Sequence, residues 1–164
     1  MNARKIGACI FAALTFFLTG CAGGRYHKAF EKNAPARGIA VPSFRWPIEG
    51  RVAVPFGAPD EGVSVKGLWL EGSEGAPVVA ASDGVVTLSD PSLRGYGKTI
   101  IIEHDAVFST VYAGSAEILA LTGQRVKQGQ TIASLGRAGK GGRPQLYFEL
   151  RRATRPEDPQ KYLH

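Results

Sequence analysis

Leu18-Thr19-Gly20-Cys21 carries the plainest chemistry in the sequence. Small residues ahead of a cysteine suit the pocket of a signal peptidase, and the cysteine sulfur is a nucleophile that can take up lipid. Upstream, Arg4 and Lys5 form a positive segment and Ile6 to Leu18 an apolar run of about 13 residues, the anatomy of a secretory signal. A membrane-spanning helix needs about 20 apolar residues, so this run is short for one. Residues 1–20 are therefore read as a lipoprotein signal peptide, with Cys21 as the lipidated residue that anchors the chain to a membrane. Cys9 leaves with the signal, so no thiol remains for a disulfide, a thiolate metal site or nucleophilic catalysis. Ala22, not aspartate, follows Cys21, and by analogy with bacterial lipoproteins of this kind that implies, in a two-membrane bacterium, the periplasmic face of the outer membrane.

Other reactive residues are scattered. Of the 3 histidines, His27 lies near the N-terminus, His164 ends the chain, and His104 stands beside Asp105, where a solvated or turn-capping role is expected. Glu103-His104-Asp105 with scattered serines is no triad, because geometry and not adjacency defines one. Gly136-Arg137-Ala138-Gly139-Lys140-Gly141 lacks the phosphate-loop spacing and the hydroxyl after lysine, and reads as a glycine-rich loop. Lys and Arg number 20 against 14 Asp and Glu. Without Arg4 and Lys5 the balance is roughly +4, which suits an anionic membrane face or cell-wall polymer. No dense basic run is interleaved with aromatics, so nucleic acid is not an expected partner.

The elements that must position any site begin at Trp46. Residues 21–45 comprise the lipidated cysteine and a segment rich in glycine, proline and charge, which reads as a flexible tether. A coil of about 24 residues spans roughly 25–30 Å, so the domain stays close to its membrane. Within 46–164, short runs of β-branched and aromatic residues alternate with turn formers. Strands are expected at Arg51–Phe56, Val65–Leu70, Pro77–Ala81, Gly84–Ser89, Thr99–Glu103, Phe108–Tyr112, Gln130–Leu135 and Gln145–Arg151. Turns are expected at Ser82-Asp83-Gly84, Gly95-Tyr96-Gly97 and Gly139–Gly142, and one short helix around Asp158–Leu163. This pattern predicts an all-β, antiparallel sandwich or open barrel.

Several segments of this pattern are similar to one family. Phe44-Arg45-Trp46-Pro47 with Phe56-Gly57 resembles the opening of LytM-type, lysostaphin-like peptidoglycan endopeptidases. The run from Gly75 to Val86 resembles their central hairpin, and Gly95 to His104 the strand after it. Ser109-Thr110-Val111-Tyr112-Ala113, the run from Gly123 to Ala133, and Gln145-Leu146-Tyr147-Phe148-Glu149-Leu150 resemble the later strands in order. The resemblance covers about residues 44 to 163 and implies the duplicated-hybrid-motif-like β fold of that family.

The resemblance also implies where a metal would lie. Active members hold zinc with a His-x-x-x-Asp pair and a late His-x-His pair, and residues two or four apart on a strand share a face. A further histidine follows the Thr-x-Tyr-x strand. Carried over, the first pair falls on Val65 and Trp69, the late pair on Gln145 and Tyr147, and the further histidine on Gly114. Valine and tryptophan offer zinc no lone pair, glutamine is a poor ligand, and tyrosine must lose a proton of pKa about 10. Neither a cofactor nor a catalytic residue is therefore expected.

What stands there instead reads as a groove. Val65, Gly67 and Trp69 share one face, with Leu68 and Leu70 on the core face. Gln145, Tyr147 and Glu149 share a face opposite Leu146, Phe148 and Leu150. Val65, Trp69, Tyr112, Gln145, Tyr147 and Arg143 form the candidate partner-binding groove. Its aromatics are either pocket fillers or interface anchors. Arg137, Lys140, Arg143, Arg151 and Arg152 would make a basic rim or an ordinary solvated surface. Degenerate family members of the EnvC and NlpD type activate cell-wall amidases during cell separation. The resemblance thus implies a non-catalytic regulator of a peptidoglycan hydrolase such as an amidase. A peptidoglycan-binding module and a residual zinc endopeptidase are the alternatives.

Overall fold

Alternation of apolar and polar residues sets the strands, and glycine and proline set their ends. A computed structural model describes residues 42–60, 63–137 and 142–164. The signal segment, Cys21, the tether as far as residue 41, most of the Gly139–Gly142 turn, and Lys140 lie outside the described residues.

The strands are β1 (Arg51–Val54), β2 (Pro59–Asp60), β3 (Val63–Ser64), β4 (Leu68–Glu71), β5 (Pro77–Val79), β6 (Gly84–Leu93) and β7 (Gly97–Glu103). They continue with β8 (Phe108–Ala113), β9 (Ser115–Ile118), β10 (Arg125–Val126), β11 (Thr131–Leu135), β12 (Gln145–Arg152) and β13 (Arg155–Glu157). The larger sheet has the order β1-β4-β12-β8-β7-β6-β10, with β13 added to β12. A second sheet has the order β5-β11-β9, and β2 pairs with β3. All these ladders are antiparallel, as the all-β expectation required.

β12 shows how the layers arise. Leu146, Phe148 and Leu150 enter the main core, where they join Val78, Ile132 and Leu135 from the second sheet. Each such side chain stabilises the fold by about 1.5–3 kcal/mol through lost apolar exposure. Tyr147 emerges on the other face, in a small cluster with Val65 and Ala113. One face of β4, β12 and β8 therefore packs on the second sheet, and the other floors a cleft.

Several boundaries differ from the sequence reading. Val65–Leu70 is not one strand: β3 stops at Ser64 and β4 starts at Leu68. The cause is local. Val65 N–H donates to Ala58 O at 3.0 Å, and Val65 O accepts from Gly57 N–H at 2.8 Å, so its backbone belongs to the β1–β2 joint. The expected helix at Asp158–Leu163 is a single 3-10 turn, Pro159–Lys161, capped by Asp158 through Gln160 N–H. The fold also begins earlier than Trp46. Phe44 is fully buried, bridges to Leu163, and packs its ring on His104, Phe108 and Tyr162.

For His104, expected to be solvated or turn-capping, the ring is part-buried and bonds the Ser82-Asp83-Gly84 turn. Its Nδ1 donates to Asp83 O at 2.7 Å, and Nε2 lies 2.8 Å from Thr110 Oγ1. Thr110 Oγ1 is 3.0 Å from the Tyr112 hydroxyl, which accepts from Ala81 N–H at 2.8 Å. A carbonyl only accepts, so Nδ1 carries the proton of the neutral ring. Burial holds the imidazole pKa below its ordinary 6.5, against the opposing bond to Asp83 and the charges of Asp105 and Asp83. The unfolded chain therefore binds this proton more readily than the folded one, and stability rises with pH between the folded value and 6.5. The melting temperature should fall as pH drops from neutrality through 6.5, and His104→Gln should flatten that slope. Parallel slopes for wild type and variant would contradict this.

Candidate functional site

Tyr147 sits at the centre of the cleft because β12 lies between β4 and β8. It is paired with Trp69 on one side and Ala113 on the other. The ring is only 8% exposed. Trp69 covers it at a centroid distance of 5.4 Å, and Tyr96 from the β6–β7 turn at 5.9 Å, both in tilted packing. Gly95 and Gly97 flank Tyr96 at φ of 85° and 68°, the left-handed region that glycine tolerates, and this tight turn swings the tyrosine over the cleft.

Beneath the stack lies a polar anchor. The Tyr147 hydroxyl donates to Glu149 Oε2 at 3.0 Å, and Arg151 Nε donates to Glu149 Oε1 at 2.6 Å. Glu149 is 1% exposed, so its carboxylate depends on both partners. Burial, followed by the Glu149 charge, pushes the Tyr147 hydroxyl far above its usual range.

The surrounding cleft has a volume of about 880 Å³. Val65, Trp69, Tyr96, Ala113, Gly114, Ser115 and Tyr147 line it, together with Lys66, Lys98 and the Glu74–Arg137 ion pair. Arg137 Nε and Nη2 meet the two Glu74 oxygens at 2.9 and 2.6 Å. That bidentate pair lowers the Glu74 pKa and raises that of Arg137.

Of the expected groove residues, Val65, Trp69 and Tyr147 meet, with Gly114 beside them. Tyr112, Gln145 and Arg143 do not line the cleft, and each has a physical reason. Side chains alternate along β8, so Ala113 faces the cleft and Tyr112 enters the core, where its hydroxyl is committed to Ala81. Gln145 is buried at the start of β12, and its amide donates to Glu71 Oε2 at 3.2 Å. Arg143 approaches the same carboxylate at 3.9 Å, and Arg51 bonds it at 2.7 Å. The Gln145 bond, with Arg51 and Arg143, holds the Glu71 pKa down. Gln145 and Arg143 thus belong to a polar cluster around Glu71.

The residues present do not suit zinc. Val65 and Trp69 have no donor atom, the Tyr147 hydroxyl is held protonated against Glu149, and the Gln145 amide is turned to Glu71. Among the described residues no three His, Cys, Asp or Glu come together as a metal site. At Gly114 the backbone is left-handed, φ 86°, so a histidine placed there would be strained.

Sequence reasoning missed Tyr96, Lys66, Lys98 and Ser115 as cleft residues. The signal for Tyr96 was present, since an aromatic between two glycines is presented by a tight turn. Lys98 and Ser115 come together through the β7–β9 packing, and Lys66 reaches the cleft from the β3–β4 joint; no local pattern encodes either.

Residues 64–159 match Peptidase family M23. A lipoprotein NlpD/LppB homolog from Pseudomonas aeruginosa is 40% identical over 126 residues, covering 77% of this chain and 41% of the relative. The murein hydrolase activator NlpD of Escherichia coli is 38% identical over 123 residues, covering 75% of this chain and 32% of the relative. The chain thus spans less than half the length of these relatives. Among solved structures, a zinc-containing peptidase from Vibrio cholerae aligns with a TM-score of 0.64 and 32% identity, over 71% of this chain and 39% of that one.

Proposed function

The chain belongs to Peptidase family M23, and we propose that it is a lipid-anchored, non-catalytic regulator of peptidoglycan hydrolysis. It would activate a cell-wall amidase from the periplasmic face of the outer membrane, in cell separation or envelope maintenance. The single observation that carries this reading is the aromatic packing at the positions where the resemblance would set the zinc ligands. There Tyr147, packed in tilted contact with Trp69 and Tyr96 and donating its hydroxyl to Glu149, offers an aromatic surface in place of histidine and aspartate ligands. The names of the relatives, murein hydrolase activator among them, support regulation of hydrolysis. The regulator would act by binding alone. Its Trp69 and Tyr96 rings are the type of anchor that dominates protein interfaces, and the cleft around them is wide enough to seat a peptide segment.

The test adds the full chain to a purified periplasmic amidase and follows dye release from labelled peptidoglycan. Stimulation that saturates with the chain supports the reading; an unchanged amidase rate across a set of such enzymes contradicts it. A second reading, direct peptidoglycan binding, draws on the partly exposed Tyr96 beside Lys66 and Lys98. Co-sedimentation with purified sacculi in the absence of amidase distinguishes it.

Anchoring makes its own prediction. Cys21→Ser should lose the lipid mass and move from the membrane fraction to the soluble envelope fraction, because one thiol carries the anchor. A variant that still fractionates with membranes would refute the lipid tether.

A further inference from the structure

Trp46 takes no part in the cleft. It is 37% exposed, which by itself is ordinary for a large apolar residue. What sets it apart is its place on the wall of a second cavity, which shares no lining residue with the cleft. Pro47, Pro77 and Val79 supply apolar surface there, and Arg45 and Glu49 supply charges of opposite sign. The wall is preformed. Arg45 N–H donates to Ala81 O at 2.9 Å and Val79 N–H to Pro47 O at 2.8 Å, which fastens the segment along β5. Ring closure fixes φ at both prolines. The Arg45 side chain is held over Gly129, where a Cβ would come within 2.6 Å of Nη1. Among the described residues, no hydrogen bond or ion pair engages the side chains of Trp46, Arg45 or Glu49.

These residues select a ligand by its chemistry. A cation would be opposed by Arg45 and an anion by Glu49, so a neutral ligand suits the pair. A purely apolar segment would strip water from both charges and return nothing. A sugar ring meets each demand. Its hydroxyls both donate and accept, so they serve Glu49 and Arg45 together. Its C–H face is weakly positive and lies well on the negative face of an indole ring. We propose that this cavity is a subsite for one N-acetylated hexose ring of a glycan strand, with Trp46 as the stacking platform. Its volume of about 320 Å³ stands at the lower end of ligand pockets, about 300–1,000 Å³, and suits a single ring. The acetamido methyl packs on Pro77 and Val79, and the hydroxyls meet Glu49 and Arg45. The proposal rests on the direct peptidoglycan-binding reading above for the source of the sugar, and it puts that contact outside the cleft.

The test titrates chitotriose into the full chain in detergent micelles, by calorimetry and by NMR of the indole N–H signals. Cellotriose, which lacks the acetamido groups, and a peptidoglycan stem tripeptide serve as comparison probes. The sequence has 2 tryptophans, so the two indole signals report the two sites separately. Chitotriose should bind more tightly than both other probes and should shift the Trp46 signal but not that of Trp69. Trp46→Ala should weaken it about tenfold, and Trp46→Phe should retain most of the binding. Glu49→Gln, at an exposed position, should weaken it with the melting temperature unchanged. Equal affinity of wild type, Trp46→Ala and Glu49→Gln would overturn the subsite, as would a shift confined to Trp69. Equal binding of cellotriose would overturn the acetamido assignment, and tighter binding of the stem tripeptide would overturn the sugar. Sacculus binding that Trp46→Ala keeps in full would sink the subsite and leave the peptidoglycan reading standing. Trp46-dependent chitotriose binding by a chain that does not sediment with sacculi would uphold the subsite and sink that reading.

Discussion

Trp69→Ala is expected to weaken the proposed stimulation of an amidase about 30-fold while the domain stays folded, the equivalent of losing about 2 kcal/mol at an interface anchor. Tyr147→Ala is expected to do something different. Trp69 is half-buried at the cleft surface, whereas Tyr147 is 8% exposed and lies under both Trp69 and Tyr96. Cutting Tyr147 removes the floor on which the other two rings rest and deprives Glu149 of a donor. Large-to-small changes at buried aromatics cost about 3–5 kcal/mol, so this variant should lose stability and stimulation together. Concentration dependence of amidase activation, paired with circular dichroism melts, separates the two behaviours. Full stimulation by a folded Trp69→Ala variant would move the partner site out of the cleft.

Glu149→Ala is the second large effect. The carboxylate is almost wholly buried and bonds both the Tyr147 hydroxyl and Arg151 Nε. Removing one partner of a buried pair costs about 3–5 kcal/mol, because the other group is left unsatisfied. The Arg151 side chain is 34% exposed, so water reaches part of it and the lower end, about 3 kcal/mol, is expected. A domain of this size has a total stability of about 5–15 kcal/mol, so the change is a large fraction of it. Glu149→Gln keeps one acceptor oxygen and should cost less than the alanine variant. Urea denaturation at neutral pH checks both, and an unchanged midpoint for Glu149→Ala would show that the Tyr147–Glu149–Arg151 group does not hold the cleft floor.

The strands that carry strict alternation were legible in the sequence. Leu146, Phe148 and Leu150 against Tyr147 and Glu149 gave the two faces of β12 correctly, and Leu68 and Leu70 gave the core face of β4. The irregular joint at Val65–Gly67 was not legible. Its path depends on backbone bonds from Val65 to Gly57 and Ala58, and these leave no trace in hydropathy. The cleft was half legible. Trp69 and Tyr147 follow from strand register, but Tyr112 was placed on the wrong face of β8, one residue from Ala113. Gln145 and Arg143 were drawn away by Glu71, a carboxylate on the neighbouring strand that no motif points to. Ser115 became visible only through the packing, as a buried hydroxyl with no hydrogen-bond partner among the described residues.

The most direct measurement incubates the full chain with purified peptidoglycan in the presence of zinc, with and without amidase, and analyses the released fragments. The chain alone should release nothing, since Val65, Trp69 and Tyr147 give zinc no usable donor. With amidase present, release of glycan strands freed of their stem peptides should rise with chain concentration. Zinc-dependent cutting of stem-peptide cross-links by the chain alone would contradict the central claim and restore a catalytic role to the cleft.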